Sequence, residues 1–458
     1  MNSEGRRLPS PWRARALLAA LVALAGCAGY APRPLPSDAS LIRSVQALSV
    51  DPAQLPFRRL ATHRFDASDG LDIDEVAMLA VANNPGLRVT RDKLGIARAQ
   101  AYAAGLLPDP QLGLSSDHPT NGGAGNTNAF GLNLGVDLGA LVARSARRDA
   151  AGAALHQVDL ELLWQEWQVA SQARLLFTRL RAQARMLATL AQSRELLGRV
   201  SARQHEALAA GNVTADQAAS ALVALQAVQR QIDDGQRHEL QDRQQLAALL
   251  GLAADVRLEL VGPGPGPAPD AAALRAAMAE RLARRPDLLA LRAGYAAQEA
   301  KFRAAVLAQF PALNLGLTRA RDTSGLYTLG FGLSLTLPIF DANRGNIAIE
   351  GATRQRLYDE YRQRLDSAHR EVDAALANLA LLQAQLERSA AGRAPLERLA
   401  RQAGAAASAG DLTVTDQVRL ATASLDKSLE VQQLEEARSE QLLALDTLLG
   451  PDLASRKP

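Results

Sequence analysis

The chain repeats itself once, in order, and that constrains its fold more than any other feature. Asn84-Pro85-Gly86-Leu87 returns as Arg285-Pro286-Asp287-Leu288, and Leu107-Pro108 through Leu112-Gly113-Leu114 returns as Phe310-Pro311 through Leu315-Gly316-Leu317. Phe130-Gly131-Leu132-Asn133-Leu134 returns as Phe331-Gly332-Leu333-Ser334-Leu335. Gly211 pairs with Gly410, and Leu249-Leu250-Gly251 with Leu448-Leu449-Gly450. With only two copies, this is a duplicated unit and not a solenoid.

The first copy is placed at 72–260 and the second at 271–450, with a tail at 451–458. Between them, 261–270 holds Gly262-Pro263-Gly264-Pro265-Gly266-Pro267-Ala268-Pro269, which can form neither helix nor central strand and reads as an extended linker. Each copy runs through a helix, two alternating stretches around a polar loop, a very long helix, a Gly turn and a shorter return helix. The hairpins are expected at 111–138 and 312–338 and the turns at 211–216 and 410–416.

The alternation has period two. Tyr327, Leu329, Phe331, Leu333, Leu335 and Leu337 alternate with Thr328, Gly330, Gly332, Ser334 and Thr336. Phe130, Leu132, Leu134, Val136 and Leu138 alternate with Gly131, Asn133, Gly135 and Asp137. Each hairpin therefore has one apolar face and one small or polar face. Small residues opposite the apolar ones suit a water-filled lumen, and the stretches reach the 9–11 residues of a membrane strand. An apolar face resting on a soluble core is the other reading of a single hairpin.

After each hairpin no proline appears, from about Ala143 to Ala210 and from about Arg344 to Arg393. Leu365, Ala368, Val372, Ala375, Leu379, Leu382 and Leu386 recur at steps of three and four, a coiled-coil seam. Leu160, Leu163, Trp167 and Ala170 begin a similar seam, which Arg174 interrupts and Phe177 resumes. Sixty helical residues span about 90 Å, more than a compact domain needs.

The N-terminus reads as a secretory signal over 1–26, with a charged stretch ending at Arg15 and a short apolar run after it. It carries four arginines against Glu4, a net +3 that equals the formal net charge of the whole chain. The remainder is neutral, so a nucleic-acid partner is not expected. The signal ends in Leu24-Ala25-Gly26-Cys27, a lipobox in form, which makes Cys27, the only cysteine, the expected site of covalent lipid. Residues 27–71 are then a lipid-anchored, extended arm. In the lipoproteins that this motif resembles, an Asp after the cysteine marks inner-membrane retention; Ala28 stands there instead, so the resemblance implies the outer membrane.

No later stretch is apolar enough for a transmembrane helix, so a membrane-spanning part must be a β-barrel. Four strands cannot close, and open edges in lipid are forbidden. The chain must oligomerise: a dimer supplies eight strands and a trimer twelve, and a barrel continuous with a wide helical tube favours twelve.

The lipobox, the duplicated hairpin-plus-helix units, the Leu107-Pro108-Asp109-Pro110-Gln111-Leu112 approach to the first strand and the paired Gly, Thr and Asp-Gln turns resemble TolC-like outer-membrane efflux proteins. The resemblance implies a mainly α fold with a membrane β-barrel: a homotrimer whose twelve-stranded barrel continues into an α-helical coiled-coil barrel across the periplasm. It implies a periplasmic adaptor and an inner-membrane pump of the resistance-nodulation-division type as partners, beside outer-membrane lipid. The turns become the tunnel tips, with Gly211, Val213, Thr214, Gly410, Leu412 and Val414 docking the adaptor and Asp216 and Asp416 lining the aperture. The proline-rich strand approach is similar to that of the metal-cation members.

Enzyme chemistry has no support. Phosphate-loop, Rossmann, nucleophile-elbow and zinc-protease motifs are missing, and the six histidines are scattered without an i,i+4 pair. No cofactor and no metal site are expected. Two classes remain: an export conduit for metal cations, drugs or secreted protein, and a structural coiled-coil lipoprotein without a pore. The alternating strands separate them, because a spacer has no use for them.

Overall fold

A computed structural model describes residues 30–39, 41–120 and 125–453. The signal segment, Cys27 and part of the first hairpin loop therefore lie outside the described residues. Residues 30–39 contain no helix or strand; the main body begins at Ile42.

The main body contains nine α-helices and four strands among its described residues. They are α1 (Arg58–Thr62), α2 (Ile73–Asn83), α3 (Pro85–Gly105), β1 (Gln111–Asp117), β2 (Ala129–Asp137), α4 (Leu138–Ala209) and α5 (Ala215–Leu249). The second copy gives α6 (Ala271–Ala283), α7 (Pro286–Leu307), β3 (Ala312–Arg321), β4 (Tyr327–Thr336), α8 (Arg344–Ala409) and α9 (Val414–Leu449). Residues 261–270 contain neither helix nor strand.

The two hairpins join into one antiparallel sheet in the order β1-β2-β3-β4. Thr127 N–H donates to Thr323 O at 2.8 Å and ties the two loops together. Within the chain, β1 and β4 are edges.

The long helices have 72 and 66 residues, about 108 and 99 Å at 1.5 Å per residue. α4 starts directly from β2, with the Asp137 carboxylate accepting from Ala140 N–H at 2.9 Å. α8 starts differently: Ala342 and Asn343 take φ of 46° and 53°, and Asn343 Nδ2 donates to Ala305 O at 2.8 Å. The proline-free stretch ends at about Arg393, and α8 continues through Pro395 to Ala409, directly before the turn expected at 410–416. Pro395 deprives the Ala391 carbonyl of its helical donor. Both residues are exposed, which leaves that carbonyl on the solvent side of the helix.

The long helices pack as antiparallel pairs, α4 with α5 and α8 with α9. Far from the sheet, Leu190, Leu197 and Val200 of α4 meet Val228 and Ile232 of α5 and Leu425 and Leu429 of α9. The expected α8 seam is present: Ala368, Val372, Ala375 and Leu379 are buried, with Leu365 partly buried beside them. Arg174 does not interrupt the α4 seam. It is 1% exposed, donates to Asp74 at 2.8 Å and Asp446 at 3.3 Å, and lies 5.7 Å from the Trp167 ring. A paired charge occupies the seam where an apolar residue was expected.

The arm expected to be extended is folded from residue 42 onward. Leu48, Leu55, Phe57, Leu60 and Leu71 are buried against α2 and α4. Isolated bridges join Ile42 to Leu252 and Leu71 to Leu260. Those apolar positions have no single period, so the arm gives no helix or strand signal by itself.

The duplication extends to side-chain contacts. Asn84 Nδ2 donates to Leu249 O at the end of α5, and Arg285 Nη1 donates to Leu448 O at the end of α9, both at 2.9 Å. These equivalent positions just before Pro85 and Pro286 clasp the return helices. Gly251 and Gly450 follow, with φ of 72° and 81°. A Cβ at Gly251 would lie 3.2 Å from Asn83 O, and one at Gly450 would lie 2.7 Å from Arg285 Cγ.

Candidate functional site

The strand register sorts the sheet into two faces. One bears the rows Leu112, Leu134, Leu317 and Phe331, then Val136, Leu315 and Leu333, then Leu313 and Leu335. Most of these side chains are exposed within a single chain, Phe331 by 84%. The apolar band continues past the strands through exposed Leu106, Leu107, Phe310, Leu337, Ile339 and Phe340. Hydrophobic surface on this scale marks an interaction or membrane face. No helix among the described residues is long and apolar enough to cross a membrane.

The opposite face carries Gly113, Asn133, Thr318 and Gly330 in one row, and Gln111, Gly135, Gly316 and Gly332 in another. A concavity of about 710 Å³ lies against it, lined among others by Gln111, Asn133, Asp137, Asn314, Thr318 and Ser334. The expected alternation is thus realised, with small and polar groups facing a hollow.

Two charged residues break the apolar face, and the alternation did not single them out. Arg319 pairs across with Leu132 and Leu329, and Arg321 with Phe130 and Tyr327, so both guanidinium-bearing side chains share the apolar side. The signal was available as two arginines at i and i+2 on the face that elsewhere reads Leu.

At the far end of the long helices lie the two turns. Gly211 and Gly410 take φ of 72° and 86°, the left-handed helix stop. Thr214 forms a capping box with Gln217: its hydroxyl accepts from Gln217 N–H, and Gln217 Oε1 accepts from Thr214 N–H at 3.0 Å. Thr413 caps α9 by accepting from Asp416 N–H at 3.1 Å. The Asp416 carboxylate accepts from the Thr413 hydroxyl at 2.8 Å and from Arg419 at 2.9 Å, which offsets its charge. Asp216 is exposed and makes no ion pair among the described residues. Val213, Leu412 and Val414 are half-buried, not exposed as the adaptor-contact reading supposed, and Val414 packs against the helix-pair core. A short turn folds its own apolar side chains back onto the helices it joins.

Between the sheet and the tips, charged clusters lock the helices together. Asp287 Oδ2 accepts from Arg285 at 2.6 Å and from Arg364 at 2.9 Å, and Arg285 lies 5.0 Å from the Trp164 ring. Burial alone would raise the Asp287 carboxyl, but the two guanidiniums hold it below its ordinary value. Arg179 donates to Glu440 beside Asp242 and Glu436, whose carboxyls burial pushes up. Among the described residues no group of three or more His, Cys, Asp or Glu is placed to hold a metal ion.

A sheet with one apolar and one polar face continues into two helices of about 100 Å, each packed against a return helix of about half that length. Residues 277–451 match the family model for Outer membrane efflux protein. Outer membrane protein OprJ of Pseudomonas aeruginosa is 37% identical over 108 residues, 21% of this chain and 22% of OprJ. The chain thus spans less than a quarter of the length of that curated relative in the match. The Campylobacter jejuni CmeC outer membrane channel superposes with a TM-score of 0.72 at 16% identity, covering 94% of this chain and 96% of CmeC. The outer membrane protein VceC of Vibrio cholerae superposes at 0.70 and 17%, covering 83% and 96%. The chain therefore has the fold of these outer-membrane channels, and most of its second copy carries the match to Outer membrane efflux protein.

Proposed function

We propose that the protein is the exit duct of a tripartite efflux system. Three chains close a twelve-stranded barrel in the outer membrane, and their helices form a tunnel toward a periplasmic adaptor and an inner-membrane pump of the resistance-nodulation-division type. The observation that carries this reading is the pair of unpaired edges, β1 and β4, on a sheet whose apolar face is exposed. All neighbours in the sheet are antiparallel, so β4 of one chain meets β1 of the next antiparallel, and head-to-tail contacts close a ring. A pore-free spacer lipoprotein would leave that face and those edges without a partner.

In this reading lipid on Cys27 anchors each chain. Gly211, Val213, Thr214, Gly410, Leu412 and Val414 form the adaptor-facing tips. Asp216 supplies the unpaired charge of an aperture ring, and Asp416 is largely neutralised by Arg419. The cargo is a small solute such as a metal cation or drug, conducted passively. Deleting the gene should sensitise the cell to the cargo of the cognate pump, and the wild-type chain should restore resistance. A chain that fractionates with the outer membrane but forms no conducting pore in planar bilayers, either as wild type or with its tips substituted, would overturn the proposal.

A further inference from the structure

We propose that Arg319 and Arg321 form a binding site for the phosphate groups of an outer-leaflet glycolipid; this rests on the reading that the apolar face meets lipid. A charge on the lipid face of a barrel is strongly destabilising at the bilayer midplane and tolerated near the interface. These two positions lie in the last rows before the hairpin loop, at the end away from the helices. Counting from Phe310 as the lower edge, Arg321 is eleven residues along. At about 3.4 Å per residue and a tilt of about 40°, that is roughly 29 Å along the membrane normal. Arg319 falls at roughly 23 Å, the upper edge of an apolar band of about 25 Å. The guanidiniums therefore stand at headgroup level on the outer side, two residues apart on one strand.

Their surroundings leave the charge for a ligand. Neither makes an ion pair or hydrogen bond among the described residues, and Arg321 lies 5.6 Å from the Tyr327 ring centroid. The adjacent carboxylate, Asp322, is held by its own turn, accepting from Ser324 and Leu326 N–H at 2.9 Å and from the Ser324 hydroxyl at 2.7 Å. Phe130 and Tyr327 flank Arg321 in its row, an aromatic edge of the kind that sits at membrane interfaces. A guanidinium offers two parallel donors to a phosphate. In a trimer the site occurs three times around the rim.

The test uses the full-length protein in detergent with three probes: lipopolysaccharide, enzymatically dephosphorylated lipopolysaccharide and inorganic phosphate. Thermal unfolding reads the binding. Lipopolysaccharide should raise the wild-type unfolding temperature, with an apparent affinity roughly tenfold or more above that of R319Q/R321Q or of the dephosphorylated lipid. R319K/R321K, which keeps the charge but loses the paired donors, should respond more weakly than wild type and more strongly than R319Q/R321Q, and inorganic phosphate should give no response. Equal responses from wild type and R319Q/R321Q, or from intact and dephosphorylated lipid, would overturn the proposal, as would a shift reproduced by phosphate alone. If the glutamine pair does not assemble, R319Q and R321Q are read singly by the same criteria. Outer-membrane fractionation separates the two levels: a wild-type chain absent from that fraction overturns the channel reading, whereas a correctly localised chain indifferent to these arginines overturns only this site.

Discussion

At Gly450 two constraints coincide. Its φ of 81° is left-handed, and a Cβ would lie 2.7 Å from Arg285 Cγ. Gly211 has a φ of 72° but open space around it. Gly211→Ala should therefore cost about 1–2 kcal/mol, the left-handed penalty alone. Gly450→Ala adds displacement of a buried side chain and should cost more. Thermal unfolding of the solubilised protein should rank them in that order, and equal shifts would refute the clasp between α7 and α9. Asp287 gives a pH signature. Its folded pKa is lowered, so its stabilisation is complete above the ordinary carboxylate value and is lost as pH falls through the lowered one. Asp287→Asn leaves fully buried Arg285 without its counter-charge and should cost about 3 kcal/mol at neutral pH. The gap between variant and wild type should narrow below about pH 4; a gap independent of pH would contradict the assignment. Arg174 shows why such residues were not legible in the sequence. Within α4 it looks like a break in the seam, and its partner Asp74 lies 100 residues away on another helix.

Elements were legible where their period is strong. The strands declared themselves by alternation, and the long helices by length, seam and paired turns. Pro395 does not end α8, because the residue whose carbonyl it orphans is exposed to water, which only the packing decides. The folded arm at 42–71 misled because its buried residues are held by contacts with α2, α4 and the 252–260 segment, none local. The tips supply the element-scale prediction. Gly410→Pro cannot adopt a φ of 86°, and Leu412→Asp places a charge on a half-buried turn. Each should reduce efflux to the level of the deletion strain while the assembled trimer, seen as a heat-labile band on a gel, persists. Full resistance in both variants would remove the tips from the mechanism.

For the molecule as a whole, the sheet is incomplete in a single chain. Strands β2, β3 and β4, of 9, 10 and 10 residues, are long enough to cross, but the chain alone presents open edges and an unpartnered apolar face. Leu333→Asp, in the middle of that face, should deplete the protein from the outer membrane, since a midplane charge costs about 2–4 kcal/mol per chain. Ser334→Asp, on the opposite face, should be tolerated and alter ion selectivity instead. If both variants localise equally, the face assignment fails. The most direct test of the central claim is the number of chains in the complex released from the outer membrane, measured by native mass spectrometry. Three chains, closing twelve strands, is the predicted result; a monomer or a dimer would contradict it.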